Sequence, residues 1–240
     1  MKILSIGNSF SRDAQRYVHE IAKKEGVDLT TFNLYIGGCS LETHYQNMIS
    51  GTNAYELDVN GVETGMRVSL DQGLEMPDID YVTLQQASHL SFDKDSYSPY
   101  LEELAKYVKE RLPNAKILIH QTWPYEDGGE VLKLRTNYSS SKEMLEDVRK
   151  AYENAVKLIK ADGMILSGSA LYNAVTLGLK KAYRDTFHAS YGAGRYLLGL
   201  TWFKTLTKKD ISNDTFLDLD EPITRLDREI ILNAVNNTIK

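Results

Sequence analysis

The stretch that most constrains this 240-residue chain is its start, Ile3-Leu4-Ser5-Ile6-Gly7-Asn8-Ser9-Phe10-Ser11. An apolar run ends in a glycine and small polar residues, and a helical pattern follows. That order predicts a strand, a tight turn at Gly7 and the N-terminus of a helix. In open α/β sheets, ligands bind outside the carboxyl ends of strands, so this turn is a candidate site. Asn8, Ser9 and Ser11 fall where the first N–H groups of a helix lack partners. Two readings are open from this stretch alone. Ser9 or Ser11 caps the helix, or one of them is a nucleophilic hydroxyl.

The rest of the chain repeats the strand–helix alternation. Ala14, Tyr17, Val18, Ile21 and Ala22 recur at helical spacing up to Gly26. Leu29 to Ile36 predicts a second strand, stopping at Gly37-Gly38-Cys39-Ser40. Asp80 to Gln85 predicts a third, ending in Gln85-Gln86-Ala87-Ser88-His89, and Lys116 to His120 a fourth, ending in Gln121-Thr122-Trp123-Pro124. Met164-Ile165-Leu166 is a short fifth strand. Helices are expected after Pro99, after the Ser140/Glu143 capping box, over Ser169 to Leu177, over Tyr191 to Thr207 and from Pro222 to the end. Between residues 54 and 68 the period changes. Tyr55, Leu57 and Val59 alternate with polar residues, Asn60-Gly61 follows, and Val62, Thr64, Met66 and Val68 alternate again. Asn-Gly between alternating runs signals a β-hairpin. It needs support for its apolar face, at the rim of the site or in a dimer contact. Strands alternating with helices imply a parallel sheet covered on both faces. The expected architecture is a three-layer α/β/α sandwich with a five-stranded parallel sheet in flavodoxin-like order and an inserted hairpin at about 54–68. No linker or repeat divides residues 1–240, which reads as a single domain.

Composition narrows function. A net charge of −5 without a Lys/Arg block argues against nucleic acid as a partner. No apolar run reaches membrane-spanning length. One cysteine, Cys39, excludes an internal disulfide and a cysteine zinc cluster. No metal is expected, because no His/Asp/Glu cluster has ligand spacing, and no cofactor is expected. With no leader before the first strand, the expected location is cytoplasmic if Met1 is the native start.

Parallel strands end on one side, so Ser9, Gly38, Gln85/Gln86 and Trp123 share a rim. Asp185 and His188 lie three residues apart on one loop. A carboxylate at that spacing can hold the imidazole Nδ1–H and leave Nε2 to take a proton from a serine. Asp-x-x-His by itself also occurs in ordinary surface turns. His44 and His89 follow two of the turns and read as solvated loop residues or rim residues, and His120 as a core histidine or a rim residue. Trp123 and Tyr125 read as a stacking platform for a sugar or acyl group, or as a cover over the sheet end. Asn8 reads as a turn residue.

Taken together, Ile6-Gly7-Asn8-Ser9-Phe10-Ser11, Leu84-Gln85-Gln86-Ala87-Ser88, Asp185-Thr186-Phe187-His188 and Gly194-Arg195-Tyr196-Leu197 resemble the SGNH hydrolases (GDSL-type esterases) and, more closely, the bacterial DUF4886 family. The resemblance runs from Lys2 to about Thr207. It implies Ser9 as nucleophile, His188 as general base and Asp185 as its orienter, with the N–H groups of Ser9 and Gly38 in an oxyanion hole. SGNH enzymes place Gly-x-Asn-Asp after the third strand, and the asparagine amide completes the hole. This chain has two glutamines there, of which Gln85 is the expected donor and Gln86 the second choice. The implied function is a serine hydrolase of small esters, with a short acyl group on a carbohydrate as one substrate class. His89, Trp123 and Tyr125 are expected to contact substrate. The fifteen tyrosines and polar rim favour a hydrated substrate. The alternatives are a non-catalytic glycan-binding or nucleotide-binding module on the same scaffold.

Overall fold

A computed structural model describes residues 1–240. In chain order the elements are β1 (Lys2–Gly7), α1 (Ser9–Gln15), α2 (Val18–Lys24), β2 (Thr30–Tyr35), α3 (Leu41–Ser50), β3 (Tyr55–Val59), β4 (Val62–Val68), α4 (Leu70–Leu74) and β5 (Tyr81–Leu84). Then follow α5 (Tyr100–Arg111), β6 (Lys116–His120), α6 (Glu130–Arg135), α7 (Ser141–Ile159), β7 (Gly163–Ile165), α8 (Ser167–Thr176), α9 (Ala193–Thr207) and α10 (Arg225–Thr238).

The strands form one sheet in the order β4-β3-β2-β1-β5-β6-β7. The run β2-β1-β5-β6-β7 is parallel throughout, which is the expected flavodoxin-like order. The sheet has seven strands rather than five, because the hairpin β3–β4 joins it. Leu57 of β3 pairs antiparallel with Leu34 of β2, so the hairpin extends the sheet edge instead of packing beside it. The physical reason is that β2 would otherwise expose an unpaired ladder of N–H and C=O groups. Leu57 is buried, while β4 is exposed over most of its length. One core of 61 buried side chains spans both faces of the sheet. Helices α1, α2, α8, α9 and α10 pack together, and α3, α5 and α7 form a second group. Helix α9 carries buried residues all round, as its apolar sequence requires.

Two local features position the functional turn. Gly7 is needed for close approach rather than for a special φ, since a Cβ there would lie 2.1 Å from Ser11 Oγ. The helical pattern expected to run unbroken to Gly26 is split at Arg16–Tyr17. Tyr17 is buried and held by its hydroxyl, which donates to the Tyr191 carbonyl and accepts from the Asp220 N–H. The parallel order reverses direction at β1, between β2 and β5. The β1–α1 turn therefore sits at the crevice where such sheets bind ligands.

Candidate active site

Asn8, not a serine, caps α1: its Oδ1 accepts the Phe10 N–H at 3.0 Å. Ser11 Oγ accepts the Asn8 N–H at 3.0 Å and is buried against Asn33. With both capping tasks met, the Ser9 hydroxyl is free to leave the helix. It donates to His188 Nε2 at 2.8 Å, and His188 Nδ1–H donates to Asp185 Oδ2 at 2.7 Å. A carboxylate only accepts, so the proton sits on Nδ1 and Nε2 is the acceptor. Asp185 Oδ1 also accepts the backbone N–H of His188 at 2.8 Å. Burial works to raise the Asp185 pKa, but the bonds from the His188 ring and from backbone N–H groups outweigh it and hold the carboxyl below its ordinary value.

The loop carrying Asp185 and His188 is fastened from several sides. Thr186 takes a positive φ of 68°, and its carbonyl accepts the Glu126 N–H. Trp123 Nε1 donates to the Phe187 carbonyl at 2.8 Å and the indole stacks on Phe10, centroids 4.1 Å apart. Asp13 of α1, buried with 1% exposure, accepts from both Arg184 and Arg195. This ion triad joins the serine's helix to the histidine's loop. Asp13, Arg184 and Arg195 were not anticipated, because nothing local in the sequence links positions so far apart.

The hydroxyl and imidazole open on a cavity of about 250 Å³ lined by Asn8, Ser9, Phe10, Tyr35, Gly37, Gly38, Ser88, His89, Arg135, Phe187 and His188. The Ser9 and Gly38 backbone N–H groups have no acceptor within the chain. Asn8 ties their two turns together, as its Nδ2 donates to the Cys39 carbonyl at 3.0 Å. Tyr35 is held from behind by the Arg12 guanidinium, 3.3 Å from the ring centroid, which also pairs with Asp58 and Glu63 of the hairpin. Thus the hairpin flanks the rim through Arg12.

Several expected site residues lie elsewhere. Gln85 is buried and does not line the cavity: its Nε2 donates to Asn8 Oδ1 at 2.7 Å, and its Oε1 faces His120 Nδ1 at 2.5 Å. Gln86 Oε1 accepts the Leu41 N–H, and its Nε2 donates to Ser96. Both amides are thus used inside the protein, and neither serves as a cavity donor. Ser88 and His89 are the residues after β5 that reach the cavity. Trp123 and Tyr125 are fully buried. Trp123 supports Phe10 and the 187 carbonyl, and Tyr125 hydrogen-bonds Ser88 at 3.0 Å, so both back the wall instead of meeting a ligand. His89 does line the cavity. His44 is buried beside Cys39 and Tyr55 rather than solvated, and His120 is a core histidine. Tyr35, Phe187 and Arg135 were missed; only Phe187, inside the Asp185–His188 segment, had a sequence signal. No three His, Cys, Asp or Glu side chains converge as a metal site would require, and no helix is long and apolar enough to cross a membrane.

The architecture is shared with solved proteins. A DUF4886 family protein from Bacteroides uniformis superposes with a TM-score of 0.93 at 33% identity, covering 100% of this chain and 94% of that one. A Slackia heliotrinireducens protein assigned to the SGNH hydrolases gives 0.61 at 23% identity, covering 86% and 98%. The acetylxylan esterase Axe2 of Geobacillus stearothermophilus gives 0.52 at 16% identity, covering 86% and 94%. These last two share the fold. No curated protein matches the chain. The family described as "Domain of unknown function (DUF4886)" matches residues 2–233, and with the 33% identical relative covered almost end to end, the chain belongs to the DUF4886 family.

Proposed function

We propose that this protein is a serine esterase acting on small esters through an acyl-enzyme on Ser9, with acetyl or another short acyl group on a carbohydrate as the substrate class. The observation that carries this reading is the continuous chain from Ser9 Oγ through His188 to Asp185, opening on a small cavity. His188 Nε2 takes the Ser9 proton as Oγ attacks the acyl carbonyl, while Asp185 stabilises the imidazolium. The negative charge that develops on the carbonyl oxygen is met by the N–H groups of Ser9 and Gly38, which have no other acceptor. His188 then gives its proton to the leaving alcohol, and water activated by the same imidazole releases the acid. The modest cavity supports a short acyl group over a long-chain lipid, and the Geobacillus protein of the same fold is named for acting on an acetylated carbohydrate.

The test is labelling with a fluorophosphonate together with turnover of acetyl esters. The protein should label, and Ser9→Ala should abolish labelling and lower kcat by about 10⁴-fold or more. A protein that neither labels nor turns over any short-chain ester would be a binding module instead.

A further inference from the structure

Arginines in this protein are almost all occupied. The chain has ten. Seven pair with carboxylates, and Arg149 and Arg228 hydrogen-bond to Ser169 and to the Asp214 carbonyl. Arg135, the last residue of α6, does neither. Its guanidinium sits 5.6 Å from the Phe187 ring centroid and lines the cavity. The cavity wall contains no aspartate or glutamate, although the whole chain carries a net charge of −5. Arg135 is thus the one formal charge among the lining residues at neutral pH when the histidines are neutral. Its field reaches across the mouth: burial, and then the charge of Arg135, lower the His89 pKa.

We propose that Arg135 is a specificity-determining residue and that the site takes esters whose alcohol portion carries a carboxylate or similar anion, the acetate of an acidic sugar being the class that fits. This rests on the esterase reading above. The planar fork of arginine suits an oxyanion with two acceptor atoms, and a free guanidinium at a cavity mouth offers that fork without first breaking an internal pair. The side on which the anion lies follows from the proton's path. His188 must protonate the leaving alcohol, so the alcohol departs past the imidazole. Phe187 packs on that imidazole, ring centroids 3.9 Å apart, and Arg135 packs on Phe187. Tyr35, the last residue of β2, and Gly38, with its free N–H in the turn that follows, line the cavity from a different segment of the chain. The guanidinium therefore flanks the leaving group.

Two matched pairs of substrates test this. On the alcohol side, 4-acetoxybenzoate is compared with its methyl ester. On the acyl side, 4-nitrophenyl monoadipate is compared with 4-nitrophenyl hexanoate. Each ratio of kcat/KM is measured for the protein and for Arg135→Ala; comparing ratios removes differences in intrinsic reactivity. One charge-assisted contact predicts that the acid-over-ester ratio of the alcohol-side pair falls by about tenfold or more in Arg135→Ala. The acyl-side ratio should move much less. An unchanged alcohol-side ratio, in a protein that still hydrolyses the methyl ester and labels at Ser9, overturns this proposal while leaving the esterase reading intact. A change confined to the acyl-side pair also overturns it. Absence of both hydrolysis and labelling at Ser9 removes the esterase reading, and the proposal with it.

Discussion

Gln85 shows how a residue in the expected place can have a different task. Its amide orientation is set by its neighbours: Oε1 accepts from His120 Nδ1, and His120 Nε2 accepts from Ser167 at 3.0 Å, which leaves Nε2 to hold Asn8. Asn8 in turn caps α1 and holds the Cys39 carbonyl. Gln85 therefore acts on Ser9 and Gly38 through Asn8. Replacing it strands buried polar groups, each worth about 1–3 kcal/mol. Gln85→Ala should reduce kcat by about tenfold with little change in KM. Its effect should not multiply with that of Asn8→Ala, so the double variant should be little worse than Asn8→Ala alone. Steady-state kinetics of the full mutant cycle check this; independent, multiplying losses would mean that Gln85 acts without Asn8. The position of a polar residue after the third strand was legible in the sequence. The direction of its amide was not, because His120 and Ser167 set it from 35 and 82 positions away.

At the scale of elements, the hairpin is the part whose local signal was strongest. Asn60 and Gly61 both take positive φ, 52° and 73°, as the two-residue turn requires. Where the hairpin goes is a tertiary matter. Its tip meets the break between α1 and α2: a Cβ on Gly61 would lie 2.5 Å from the Arg16 carbonyl oxygen. Gly65, on β4, has almost the same φ of 74° but nothing within 4 Å. The two glycines separate backbone strain from steric contact. Gly65→Ala should cost about 1–2 kcal/mol, the strain of a left-handed alanine. Gly61→Ala should cost clearly more, since it adds a backbone clash. Urea unfolding of both variants gives the difference, and equal losses would show that the tip is not pressed on the helix break.

For the molecule as a whole, two buried imidazoles couple folding to pH. Burial pushes His44 and His120 down to about 3, against an ordinary value of 6.5 once the chain is unfolded. Between these values the unfolded chain binds the protons and the folded one does not. Stability is therefore full above about pH 6.5 and falls as the pH drops toward 3, by about 1.4 kcal/mol per pH unit for each imidazole. Between about pH 6 and 5 most carboxylates remain ionised, so this slope should dominate there. Denaturant unfolding across that interval should show it, and His44→Gln should remove about one proton's share. A slope unaltered by His44→Gln would mean that this imidazole takes up its proton in the folded state too.

What the sequence determined by itself is what depends on near neighbours in the chain: the alternation of strands and helices, the glycine turns, the Asn60-Gly61 hairpin, and the Asp185–His188 spacing that lets a carboxylate reach its own loop's imidazole. These signals act over a few residues, where backbone sterics and turn geometry decide. Motif order suggested Ser9 as the histidine's partner, but the 2.8 Å contact across 179 positions exists only in the folded chain. Tertiary structure alone decided that the hairpin joins the sheet, that Asp13 bridges Arg184 and Arg195, that Trp123 and Tyr125 stand behind the wall, and that Arg135 faces the cavity unpaired. Each depends on which distant surfaces meet when apolar faces are buried, and burial is non-directional. Periodicity marks the face of an element that turns inward; it carries no record of the partner found there.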